Sequence, residues 1–187
     1  MNALVMDTST SYIFLYLIKN GKLVYKFEEE GKNNHSEKLM LVIEDALKVN
    51  ELKVEDLTLI VTGIGPGSYT GLRISLTIAK VFAWTKKIPL KVIPSLMFLG
   101  SGQTNGKYVV TNKAKKGYVY SLAIEIKDKK INESGKEQYM SLEEAKTKGI
   151  SFIGEDNYVI DPFKVIANAK EIESLHDLGP NYLREAI

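Results

Sequence analysis

The chain has 187 residues, 44% of them hydrophobic and 26% charged, a globular composition that excludes a disordered or collagen-like chain. It has no cysteine and two histidines, His35 and His176, so disulfides, thiolate chemistry and Cys-ligated metals are excluded and a His-rich metal site is not expected. Basic residues number 25 against 23 acids, a net charge of +2, which predicts no strong pull toward nucleic acid or membrane.

Residues 2–7 read as a short buried strand ending in Asp7, followed by the polar turn Thr8-Ser9-Thr10-Ser11. Residues 12–18 (YIFLYLI) are aromatic and β-branched, as strands are. Asn20-Gly21 then signals a hairpin, because a type I′ turn needs two residues at positive φ. Residues 23–28 (LVYKFE) alternate and pair back. Ser36 reads as the N-cap of a helix running to about Val49. Residues 57–63 (LTLIVTG) form a near-continuous apolar run, as expected of a strand covered on both faces. A glycine loop, Gly65-Pro66-Gly67-Ser68-Tyr69-Thr70-Gly71, leads into a helix from about Thr70 to Lys86. Residues 90–93 make another strand, and Ser95 is expected to cap a short helix ending near Gly100.

The order βββ-α-β-α-β-α predicts a mixed sheet with helices on both faces, the ribonuclease-H-like pattern shared by actin-like ATPase lobes. Residues 101–106 are the best linker. Beyond them, strands are expected at 108–112, 118–126 and 130–139, and a helix at 141–148 that begins with the capping box Ser141-Leu142-Glu143-Glu144. A strand near 150–154 and a helix near 162–170 follow. The expected organisation is an α/β fold of two lobes, residues 1–100 complete and residues 101–187 smaller and α+β, with the tail 180–187 belonging to the second lobe or packing back on the first. The lysines of 107–130 read chiefly as a solvated sheet edge. The early acid Asp7 leaves no room for a signal peptide, and no apolar run approaches the ~18 residues of a membrane span, so a soluble cytoplasmic protein is expected.

Three features can carry function. Gly65, Gly67, Ser68, Thr70 and Gly71 follow a strand and open a helix, the arrangement that turns backbone N–H groups and a helix N-terminus toward an anion. The spacing is G-x-G-x-x-x-G, neither a dinucleotide fingerprint nor a Walker loop, and a tight turn capped by Ser68 or Thr70 explains it equally well. Asp7, Thr8 and Ser9 stand where actin-like ATPases hold phosphate and magnesium and where ribonuclease-H-like nucleases place a metal carboxylate. The strand at 57–63 adds no acid, so a two-metal nuclease is disfavoured, and a turn-capping role is the plainer alternative. Finally, the helices at 36–49 and 70–86 are apolar around most of their circumference, which points to a partner interface or a deep core.

Asp7-Thr8-Ser9-Thr10, His35-Ser36-Glu37-Lys38-Leu39-Met40, Gly65-Pro66-Gly67-Ser68-Tyr69-Thr70-Gly71-Leu72-Arg73, Pro94-Ser95-Leu96 and Pro180-Asn181-Tyr182-Leu183-Arg184 together resemble the TsaB (YeaZ) family. The resemblance implies a two-lobe actin-like (ASKHA) fold and a part in making the threonylcarbamoyladenosine next to the tRNA anticodon. It implies a non-catalytic subunit that pairs with the catalytic relative TsaD through the first-lobe helices, forms a homodimer there when alone, is joined by the ATPase TsaE, and meets tRNA indirectly. The expected partner face is Leu39, Met40, Ile43, Leu72, Arg73, Leu76 and Ala79. Asp7, Thr8 and Ser9 are then a vestigial phosphate loop, with no metal, no catalytic residue, and ATP or ADP expected only within the complex. Where relatives often carry an Asp-Ala-Arg-like stretch, this chain reads Asn112-Lys113-Ala114, without the acid and the arginine. The alternative is an independent ASKHA-type ATPase or phosphotransferase, supported by Asp7 and the glycine loop but lacking a second glycine-rich loop in 107–187.

Overall fold

The computed structural model describes residues 1–31, 35–148, 150–172 and 174–183. The chain opens as a meander of β1 (Ala3–Asp7), β2 (Tyr12–Lys19) and β3 (Lys22–Glu30). Asn20 and Gly21 make the first turn at φ 53° and 76°, the left-handed pair a type I′ turn requires. Then come α1 (His35–Val49), β4 (Leu59–Gly63), α2 (Tyr69–Lys86), β5 (Leu90–Ile93) and α3 (Ser95–Leu99). These strands form one sheet in the order β5-β4-β1-β2-β3, with β4 parallel to both β1 and β5.

Period-two alternation explains why β1 and β2 look uniformly apolar. Leu4, Met6, Ile13, Leu15 and Leu17 face a core shared with α1 and α2. Ala3, Val5, Phe14, Tyr16 and Ile18 face the opposite core, shared with α3 and the second lobe. Both faces are covered, so a solvent-side polar residue has no place in the strand. The edge strand β3 has no such constraint and carries lysines and glutamates, which discourage pairing with another chain.

The second lobe contains β6 (Gly106–Lys113), β7 (Tyr118–Lys127), β8 (Lys130–Glu133), β9 (Gln138–Ser141), α4 (Leu142–Lys146), β10 (Ser151–Ile153) and α5 (Pro162–Asn168). Its sheet runs β10-β6-β7-β8, and β9 pairs the first half of β7. The strand expected over 130–139 is therefore two strands, broken at Ser134–Glu137, so that β8 and β9 share one edge of β7. Ser141 caps α4 by accepting from the Glu144 N–H, as the capping box predicts.

The two sheets are not separate cores. Val110, Leu122, Ile124 and Ile126 of the second sheet join Phe14, Tyr16, Phe98 and Leu99 in one buried cluster. The chain returns to the first lobe earlier than the sequence boundary suggested. β11 (Lys170–Glu171) adds to the free edge of β5, and Ile172, Leu175 and Leu178 pack on the α1–α2 core. Residues 170–172 and 174–183 thus lie against the first lobe, so the return that was left open only for the tail from 180 begins ten residues earlier than expected. No helix among the described residues is long and apolar enough to cross a membrane.

Candidate functional site

The glycine loop connects the C-terminal end of β4 to α2. Gly65 sits at φ 106°, and a Cβ there would lie 2.5 Å from the Asn181 carbonyl oxygen, so this position requires glycine twice over. The Gly65–Pro66 peptide is cis. Ser68 is the N-cap of α2, its hydroxyl accepting from the Gly71 N–H at 3.2 Å.

This loop closes against the turn after β1. The Ser68 N–H donates to the Ser9 carbonyl at 2.7 Å, and the Thr8 hydroxyl donates to the Gly71 carbonyl at 2.7 Å. The approach is so tight that a Cβ on Gly71 would stand 1.9 Å from the Thr8 oxygen. Asp7 is wholly buried at the junction. One carboxylate oxygen accepts from the Ser9 N–H at 2.7 Å and the other from the Ser95 hydroxyl at 2.6 Å. The Ser95 oxygen in turn accepts from the Gly65 N–H at 2.9 Å. Burial pushes the Asp7 carboxyl above its usual range, opposed by the Ser9 and Ser95 hydrogen bonds.

The second lobe seals the junction. The Asn112 amide reaches across to donate to the carbonyls of Ser9, at 3.0 Å, and Pro66, at 3.2 Å. Beside it, the Ser11 hydroxyl donates to Glu155 at 2.5 Å. Four N–H groups at this junction, those of Ser9, Gly65, Ser68 and Gly71, are therefore engaged inside the protein. Among the described residues no group of three His, Asp or Glu comes together to hold a metal.

One turn along α2 the character reverses. A groove of about 430 Å³ runs between the N-terminal halves of α1 and α2, lined by Ser36, Met40, Tyr69, Thr70, Arg73, Ile74, Thr77 and Ile78. Met40 is 43% exposed, and the apolar strip continues along α2 to Val81 and Trp84, the latter 71% exposed. Arg73 stands in the wall of the groove. Its Nη1 donates to the Tyr69 hydroxyl at 2.9 Å, and its guanidinium lies 5.3 Å from the Tyr69 ring centre. No carboxylate among the described residues forms an ion pair with it.

The expected partner face needs correction. Leu39, Ile43, Leu72, Leu76 and Ala79 are all buried within this chain, Leu39, Ile43 and Ala79 in the core against the first sheet, and offer no surface. Met40 and Arg73 remain accessible. Ile74, Ile78 and Phe82 are half-buried against the α1–α2 core, and Tyr69, Thr77, Val81 and Trp84 face outward. Ser95 is not a helix cap: Pro94 holds that place, and the Ser95 hydroxyl serves Asp7 and Gly65 instead. Asn112, Tyr69 and Tyr182 carry more of the site than the sequence suggested. The i, i+4, i+8 spacing of Tyr69, Arg73 and Thr77 was the available signal, masked by the polar members of the stripe. Arg184 and the His35 side chain lie outside what is described.

With this geometry in place, comparison with known proteins is informative. A family model described as "TsaD: tRNA N6-adenosine threonylcarbamoyltransferase" matches residues 28–175. The chain is 25% identical over its full length to a Bacillus subtilis protein named "tRNA threonylcarbamoyladenosine biosynthesis protein TsaB", covering 95% of that protein. A Buchnera aphidicola protein of the same name is 32% identical over 63% of this chain and 57% of its own length. In structure the chain is similar to YeaZ from Pseudomonas aeruginosa, with a TM-score of 0.82 over 97% of this chain and 99% of that one, at 17% identity.

Proposed function

The chain belongs to the TsaD family, on its TsaB (YeaZ) branch of tRNA threonylcarbamoyladenosine biosynthesis proteins, and on that premise we propose that it is a non-catalytic, activating subunit of the modifying complex. Its fold is the two-lobe actin-like (ASKHA) one, with the shorter second lobe described above. The subunit docks a TsaD-like catalytic protein on the groove between α1 and α2, and the threonylcarbamoyl transfer is the partner's chemistry. In the partner's absence the same groove pairs two copies of this chain. A TsaE-like ATPase joins the assembly, and tRNA is met through the catalytic subunit. ATP or ADP binds only in the complex.

The observation that carries this reading is the contrast along α2: a glycine loop with donors engaged internally, beside an open apolar groove whose arginine has no carboxylate partner among the described residues. Apolar side chains exposed in a strip with a charge at the rim are what a protein interface uses. A closed loop with a desolvated, capped aspartate is not what phosphoryl transfer uses.

Mixing the chain with a TsaD-like subunit and resolving the mixture by sizing chromatography with light scattering tests this. A stoichiometric complex is expected. Two separate peaks at tens of micromolar, together with tight Mg-ATP binding and turnover by the chain alone, would support the independent ATPase instead.

A further inference from the structure

The two motifs that frame the chain, the glycine loop at 65–73 and Pro180–Leu183 near the end, meet in space. Residues 170–172 and 174–178 run along the first lobe, where Lys80 of α2 donates to the Leu178 carbonyl at 2.8 Å. Asn181 then takes three holds at once. Its N–H donates to the Ile64 carbonyl at 2.6 Å, its own carbonyl fills the space beside Gly65, and its side-chain amide donates to Glu137 at 2.6 Å. Glu137 lies in the link between β8 and β9, so this one residue ties the second lobe, the glycine loop and the C-terminal segment together.

The next residue reaches the groove. The Tyr182 ring stacks on Tyr69, with centroids 4.9 Å apart and planes 25° from parallel. Tyr69 is the first residue of α2 and is 58% exposed, so its outer ring face would otherwise be free to change rotamer. The Tyr69 hydroxyl is the group that accepts from Arg73. Tyr182, Tyr69 and Arg73 thus form a row: an anchored strap, a clamped ring, and a guanidinium held over the groove wall with donors left over.

We propose that Pro180–Leu183 is a positioning strap for the partner groove, in which Tyr182 fixes Tyr69 and through it presents Arg73 to a carboxylate of the docked TsaD-like subunit. The inference rests on the reading of the groove as the partner face and adds the element that prepares it. A free arginine side chain loses rotamer freedom when it pairs, and a guanidinium already held by one hydrogen bond loses less. The remaining N–H groups keep the planar fork that matches a carboxylate in two bonds, which lysine cannot do. Arginine is rare in this chain, at two of 25 basic residues, and one of the two stands here.

The test is a double-mutant cycle on the intact chain, titrating a purified TsaD-like subunit by calorimetry at low and at 0.5 M salt. Arg73→Ala should weaken binding about tenfold and Tyr182→Ala about fivefold, and the double variant should bind no worse than Arg73→Ala. Tyr182→Phe keeps the stack and should restore wild-type affinity. Added salt should shrink both single-variant effects together. Arg73→Ala weakening binding while Tyr182→Ala does not would overturn the strap and leave the groove reading intact. Effects that simply add, or that Tyr182→Phe fails to rescue, would also overturn it. If the wild-type chain itself does not bind, the partner reading fails before the strap is reached. Thermal unfolding of each variant separates positioning from folding: Tyr182→Ala should keep the wild-type midpoint, because Asn181 holds the segment without it. A midpoint that falls in proportion to the affinity would count against a positioning role.

Discussion

The two ends of the glycine-loop region differ in almost every physical respect. At the loop, backbone meets backbone at van der Waals limits, Asp7 is buried and doubly hydrogen-bonded, and Asn112 of the second lobe closes the mouth. One helical turn away, the groove beside Tyr69, Arg73 and Thr77 is open and mostly apolar among the described residues. In an actin-like lobe the first region is where chemistry would be placed. On the function proposed above, it is a structural rivet and the interaction surface is the flank of α2. The lesson is that a glycine loop can keep its sequence while its donors turn inward. What distinguishes the two cases is the bonding of N–H groups, not the spacing of glycines.

Breaking the rivet should produce the largest effect. Gly71→Ala sets a Cβ 1.9 Å from the Thr8 carbonyl oxygen, a backbone atom that cannot yield cheaply. A loss of about 3 kcal/mol is expected in urea unfolding. Ser95→Ala should cost about 2 kcal/mol, because it strips one donor from a buried carboxylate and one acceptor from the Gly65 N–H. This loss has a pH signature. Removing a donor to the ionised form raises the Asp7 pKa further, so the gap between variant and wild type is full wherever Asp7 is ionised. It narrows as pH falls and Asp7 becomes protonated.

The groove should respond in the opposite way. Thr77→Arg places a long charged side chain on an exposed position of the groove wall, so unfolding should change by no more than about 0.5 kcal/mol. Binding to a TsaD-like subunit should nevertheless weaken at least about tenfold. The smallest effect is expected at Glu137, a half-buried carboxylate with one oxygen held by Asn181 and the other unpartnered among the described residues. Burial, aided by Glu133, pushes its pKa up, against the Asn181 hydrogen bond. The folded protein thus holds this proton more tightly than the unfolded chain, and ionisation costs stability as pH rises through the usual carboxylate range. Glu137→Gln should melt above wild type at pH 7, with the difference closing at pH about 4 and below.

Much of this was legible in the sequence for a definable reason. Alternation and apolar continuity over residues 3–18 and 59–63 report strands covered on two faces, and Asn20-Gly21 and Ser141 are local devices that act the same in any context. The helical stripe of α2 was visible, but periodicity tells which residues share a face, not what the face meets. Leu72, Leu76 and Ala79 looked like surplus surface and are instead buried within this chain, Ala79 in the core between the helices and the first sheet. Ser95 looked like a cap because its position beside Pro94 suits one, whereas its hydroxyl bonds to Asp7, 88 residues earlier in the chain. The return of the chain to the first lobe from residue 170 was hidden for a similar reason. A two-residue strand such as β11 and single contacts such as Asn181 to Ile64 leave no periodic trace.

The most direct test of the contrast is tRNA threonylcarbamoylation by a reconstituted complex containing either Asp7→Asn or Thr77→Arg. Asp7→Asn alters the group that catalysis would need, and Thr77→Arg alters only the groove. The account predicts near wild-type turnover with Asp7→Asn at temperatures where that variant is folded, and turnover reduced at least about tenfold with Thr77→Arg. Loss of turnover with folded Asp7→Asn, alongside full turnover with Thr77→Arg, would contradict it and return the chemistry to the glycine loop.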